Sequence, residues 1–224
     1  MRVLVELWRS TVGRKALVAL SGLLLGMWVV LHLLGNLTVF SGAATADGYA
    51  AALQQIPAWL WIARAGLAVA AVVHVAGVVL LTRANRAARP RHDVPARRRA
   101  STLAARSMRV GGALLLAFVV YHLLHLTFGA LHPGFVPGRV YDNVVRGLRP
   151  PWVAGVYVAA AALLGLHLFH GLWAAARSLG ARPDAAADNA ATAGRRRAAV
   201  AALSAAVALG FAAVPIAVLA GWLR

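Results

Sequence analysis

Residues 16–40 read ALVALSGLLLGMWVVLHLLGNLTVF, a run with no charged side chain and one histidine, His32, well inside it. A hydrocarbon layer about 30 Å thick takes roughly 20 apolar residues of helix, so this run is long enough to cross a bilayer. An imidazole at that depth is costly to bury, and side chains of this kind usually mark function. Comparable runs follow at about 59–81, 111–131, 152–176 and 198–223. They predict an all-α membrane protein, with five transmembrane helices in one bundle and the chain 1–224 as a single domain. Basic residues ahead of an apolar run are also how a secretion signal begins. This run is too long for one and contains His32, so it reads as a retained first helix.

The composition agrees. The chain is 61% hydrophobic with a mean hydropathy of +0.73, well above a soluble domain, which leaves no room for a separate soluble catalytic domain. There is no cysteine, which excludes disulfides, thiolate metal sites and iron–sulfur ligation by this chain. The net charge of +17 is a topology signal rather than a nucleic-acid footprint. Apart from Arg64, Arg139, Arg146, Arg149 and Arg224, every basic residue lies in the N-terminal segment, the loop between the second and third runs, or the loop between the fourth and fifth. These three segments are expected on the cytoplasmic side, with the C-terminus outside. Trp59, Trp61, Trp152 and Trp222 then fall at the outer interface, as an aromatic belt.

That orientation sets histidine depth. At 1.5 Å per residue His32 lies about 24 Å along the first helix, toward the outer face, and the third helix also runs outward to His122 and His125. The second helix runs inward to His74, about 22 Å along, and the fourth runs inward to His167 and His170. The result is an outer pair on the first and third helices and an inner pair on the second and fourth. Neutral imidazoles are standard axial ligands of haem iron, and two opposed pairs suffice for two six-coordinate haems. Within each cluster the two histidines are three residues apart, about 60° around a helix, so periodicity does not choose between them. Haem propionates need polar or basic partners near an interface. Candidates are Ser21, Arg106 and Arg177 toward the inner end and Arg64 toward the outer.

Competing readings are weaker. A lone intramembrane histidine often just bonds a neighbouring helix, but four at matched depths are hard to explain that way. Zinc lacks carboxylates or thiolates to complete a tetrahedron. The acids Glu6, Asp47, Asp93, Asp142, Asp184 and Asp188 all lie in loops or termini, so no carboxylate relay crosses the bundle. His92 and His132 read as solvated loop side chains. Residues 1–12 suit an interfacial amphipathic helix, 133–151 an outer cap, and 183–194 a flexible connector. Pro215 is expected to kink the fifth helix. Gly22 and Gly26 allow close approach of a helix or a flat macrocycle.

Several stretches resemble the cytochrome b subunit of succinate:quinone oxidoreductase, in its single-subunit, five-helix, two-haem form. They are Gly13-Arg14-Lys15, Ser21-Gly22-Leu23, His32-Leu33-Leu34-Gly35-Asn36-Leu37, Phe118 through His125, and Leu166 through Trp173, with Tyr49-Ala50 and Arg89-Pro90 in loops. The resemblance spans the first four helices. It implies an outer haem b on His32 and His122, the latter chosen by its place after Tyr121. It implies an inner haem b on His74 and His167, the latter six residues before Trp173, with His125 and His170 as alternates. It further implies flavoprotein and iron–sulfur partner subunits on the cytoplasmic face of the cell membrane, and electron exchange with a membrane quinone, menaquinone foremost. Gly165 and Leu166 stand where some relatives carry a transmembrane glutamate. Two other classes fit the bare histidine pattern: a di-haem anchor of another respiratory enzyme, such as a hydrogenase or formate dehydrogenase, and a haem-free transporter or assembly protein.

Overall fold

The computed structural model describes residues 2–88, 103–180 and 190–224. His92, Arg89-Pro90 and most of the 183–194 connector lie outside the described residues. Among them every regular element is a helix, with no strand. A short helix α1 (Arg2–Arg9) turns at Ser10 into α2 (Thr11–Leu37). The Ser10 hydroxyl accepts from Gly13 N at 2.9 Å, a capping bond that satisfies one of the donors exposed at a helix start. Arg14 Nε donates to the Trp8 carbonyl at 2.6 Å, and Gly13 packs directly on the Leu7 backbone, so α1 is folded against the foot of α2.

Five helices are long and apolar enough to cross a membrane: α2 and its tail (Thr11–Ser41), α4 (Pro57–Ala87), α5 with its final turn (Met108–Thr127), α7 (Pro151–Ser178) and the fifth (Ala191–Leu219) within α8 (Ala190–Leu219). Pro57 and Pro151 start α4 and α7 at the position where a missing N–H costs nothing. Two short helices, α3 (Ala43–Gln54) and the amphipathic α6 (Val140–Leu148), lie in the connections at the end opposite α1.

Helices α2 and α7 form the middle of the bundle. The first packs on α4, α7 and α8, the second on α2, α5 and α8. Glycines permit the closest approaches. A Cβ at Gly165 would stand 2.8 Å from Ala208 Cβ, and one at Gly210 would stand 2.9 Å from Leu33. Among the described residues α4 and α5 make no extensive backbone contact with each other. The four histidine-bearing helices contact one another in the order α4, α2, α7, α5, a quadrilateral open between α4 and α5, with α2 diagonal to α5 and α4 diagonal to α7.

The best-buried core lies at the capped end, where Val144, Val145 and Leu148 of α6 meet Val39, Val153, Val214 and Val218. Asp47 Oδ1 accepts from Tyr141 N at 2.9 Å, tying α3 to the start of α6. Asn143 clasps Val136 by donating to its carbonyl at 2.7 Å and accepting from its N–H at 2.9 Å. Segment 133–151 is thus a built cap.

Several helices run past the apolar limits of the sequence, α2 starting at Thr11, α4 reaching Ala87 and α8 starting at Ala190, and two ends fall short. The third apolar run does not stay helical to 131: α5 (Leu103–His122) ends in a π-turn, Leu123–Thr127, closed by Phe128 N to the Leu123 carbonyl at 2.8 Å. Gly129 then takes φ +72° with Phe135 packed on it, and apolarity alone gives no sign of that turn. The last helix stops at Leu219 rather than 223. Gly221 adopts φ +75° and Trp222 N bonds back to the Ala217 carbonyl at 2.9 Å, a common helix ending.

Candidate functional site

The diagonals of the quadrilateral bring four histidines together in two pairs. His32 of α2 and His122 at the end of α5 have ring centres 5.8 Å apart with planes at 80°. His74 of α4 and His167 of α7 are 6.3 Å apart at 66°. One metal ion shared by two imidazoles, with bonds of about 2 Å, sets ring centres roughly 6 Å apart. Gly22 of α2 lies against the His74 ring and Gly112 of α5 against the His167 ring. Each glycine stands ten residues before the other histidine of its helix, His32 or His122, so the two pairs sit about 15 Å apart along the bundle.

Hydrogen bonds fix the tautomers. His74 Nδ1 is 3.1 Å from the Val18 carbonyl. A carbonyl only accepts, so Nδ1 carries the proton and Nε2 keeps its lone pair. Metal-bound histidines are held in this way. At His32 the Asn36 amide donates to the ring Nε2 at 3.2 Å and to the His32 carbonyl at 2.8 Å. Here too Nε2 is an unprotonated acceptor, and a metal would take the lone pair that Asn36 now uses. His167 Nδ1 is buried with no hydrogen-bond partner, a costly state for a ring nitrogen. Among the described residues no group of three or more His, Cys, Asp or Glu could hold a metal ion. The donor set of two imidazoles per pair suits a metal that brings its own equatorial ligands.

The alternates are placed differently. His125 is 2% exposed and its ring lies between Tyr121 (5.4 Å) and His132 (5.1 Å), with Nδ1 2.9 Å from the Tyr157 hydroxyl. His170 lies against Phe169 at 5.1 Å. With His167 it lines a shallow open crevice between α5 and α7, completed by Met108, Gly111, Leu163 and Leu166. The structure thus brings His122 beside His32 and His167 beside His74.

The Ser21 hydroxyl donates to the Leu17 carbonyl at 2.7 Å and lies 3.4 Å from His74 Nδ1, which makes it a neighbour of the His74–His167 pair. Arg64 is exposed and stacks over Trp61 at 5.1 Å. Arg177 lies in the last turn of α7, and the Arg106 side chain lies outside the described residues. His132 is not the solvated side chain the sequence suggests. It is 5% exposed, and its Nε2 and Nδ1 lie 2.8 Å from the Asn143 carbonyl and 3.0 Å from the Pro133 carbonyl. Sequence reasoning also missed Tyr157, an isolated tyrosine in an alanine-rich run. Its one signal is a polar hydroxyl at membrane depth facing a helix rich in histidine. No family model, curated protein or solved structure matches the chain.

Proposed function

We propose that the chain is the di-haem cytochrome b membrane anchor of a succinate dehydrogenase or fumarate reductase. The carrying observation is the pair of diagonal histidine couples at two depths, with ring spacings of 5.8 and 6.3 Å. His32 with His122 and His74 with His167 would each hold one haem b, and haem supplies one-electron chemistry when bound. The chain's own residues do the rest. The Val18 carbonyl orients His74, the Asn36 amide would yield His32 Nε2 to the iron, Gly22 and Gly112 let the His74 and His167 rings lie close to neighbouring backbones, and the apolar helices keep water away. Attachment is non-covalent, because the chain has no cysteine for a thioether.

In this reading the arginine-rich end faces the cytoplasm and receives the flavoprotein and iron–sulfur subunits, where the dicarboxylate chemistry takes place. The anchor connects them to a membrane quinone, menaquinone by the resemblance. The resemblance of the sequence motifs supports this enzyme class over other respiratory anchors. The test is purification from the native membrane with partners, followed by haem extraction and subunit identification. Two extractable haems b per chain with succinate dehydrogenase subunits are expected. One haem per chain refutes the two-centre reading, hydrogenase or formate dehydrogenase partners reassign the anchor, and an absence of haem identifies a haem-free membrane protein.

A further inference from the structure

The Tyr157 side chain from α7 inserts into a hole made by Phe118, Tyr121, His122 and His125 of the third membrane helix. Its ring centre lies 5.0, 6.1, 5.9 and 5.8 Å from theirs. These positions follow an i, i+3, i+4, i+7 spacing, one face of a helix, and the knob-in-hole fit fixes the phenol. Its hydroxyl is 2.9 Å from His125 Nδ1 and 3.4 Å from His122 Nδ1. A phenol has one proton to give and lone pairs to accept with, so it can serve both rings only by donating to one and accepting from the other.

We propose that Tyr157 is the positioning residue of the outer centre, its hydroxyl accepting from Nδ1–H of His122 and donating to Nδ1 of His125. This rests on the di-haem reading, in which His122 offers Nε2 to iron and keeps its proton on Nδ1. Every proton then has a place: His122 Nδ1–H to Tyr157 O, Tyr157 O–H to His125 Nδ1, and the His125 proton on Nε2. The far end of the chain is anchored in the cap. His125 is stacked on His132, His132 lies against the Asn143 carbonyl, and a Cβ at Gly147 would come within 3.0 Å of both rings. The π-turn after His122 places His125 within reach of the same hydroxyl. Turns of this type are frequent at functional sites. A hydrogen bond accepted from a ligand's free N–H fixes ring orientation and raises ligand basicity, which favours the oxidised metal.

The test is redox titration and low-temperature electron paramagnetic resonance of the assembled complex carrying Tyr157→Phe, which keeps the ring and removes the hydroxyl. The outer component is expected to shift to a more positive midpoint potential with altered low-spin g values, while the inner component and the haem content stay as in wild type. Wild-type potentials and g values for both centres overturn the proposal, while two haems in the parent protein leave the di-haem reading intact. If Tyr157→Phe does not assemble, His125→Phe decides, since it keeps the stack and removes the acceptor of the Tyr157 proton. A shift confined to the outer component supports the relay. An unchanged outer component, or loss of the outer haem, which would make His125 itself the ligand, overturns it.

Discussion

His122 and His125 differ by three positions, yet only His122 stands beside His32, and this contrast makes the site testable one residue at a time. In the di-haem reading, His74→Ala or His167→Ala removes the inner spectral component and His32→Ala or His122→Ala the outer one. His125→Ala and His170→Ala leave two six-coordinate centres. Redox-resolved spectra of variants that still accumulate in the membrane check this, and loss of the outer centre in His125→Ala with its retention in His122→Ala would reverse the choice. Gly22 offers a second probe, because a Cβ there would lie 2.9 Å from His74 Cε1 while Val18 holds the same ring. Gly22→Val should disturb the inner component alone, read as loss or broadening of its absorption band. The pairing by depth was legible in the sequence because a helix rises by a fixed amount per residue. Periodicity did not choose within each cluster, since 60° around a helix admits both members, and the choice of His122 and His167 came from the resemblance. The contacts that hold His125 apart come from Tyr157 and His132, which arrive from distant segments. His132 was misread for a related reason: its neighbour Pro133 reads as loop, while its burial comes from α6 folding back over it.

At the scale of elements, apolar length located all five spans, and the two short helices α3 and α6 escaped notice because each gains its stability from the cap it helps to build. The cap makes a quantitative forecast. Leu148 is buried below 2% exposure in the capped-end core, so Leu148→Ala should cost about 2–5 kcal/mol, measured by chemical denaturation in detergent. A smaller change would mean that α6 packs loosely. The α7–α8 seam gives a matched comparison. Gly155 has open space where a Cβ would go, whereas Gly165 faces Ala208 at 2.8 Å and the Ser204 carbonyl at 3.2 Å. Gly155→Ala should stabilise α7 by roughly 0.5–1 kcal/mol through helix propensity, and Gly165→Ala should destabilise by about 1–3 kcal/mol through overpacking. Equal effects at the two positions would reject the seam.

For the whole molecule, the two histidine pairs acquire direction only from the charge asymmetry of the ends. One end gathers α1, the start of α2, the ends of α4 and α7 and the starts of α5 and α8, with Arg83, Arg86, Arg177 and Arg195 among them, and the other holds α3, α6 and the exposed Trp59, Trp152 and Trp222. The bundle fixes which segments share an end, because antiparallel neighbours joined by short connections alternate. The positive-inside rule supplies the sign. Because the chain contains no cysteine, a single introduced cysteine reports on its own position with no background. Ser41→Cys, at the α3 end, should react with an impermeant maleimide in intact cells, and Ser101→Cys, in the arginine-rich loop, should react only after the membrane is opened. The reverse pattern would invert the bundle and put the His74–His167 pair nearer the outside. It would also reject the arginine-rich face as the place where cytoplasmic partner subunits dock. Labelling of both positions in intact cells would mean that they do not lie on opposite sides, and would break the five-span count itself.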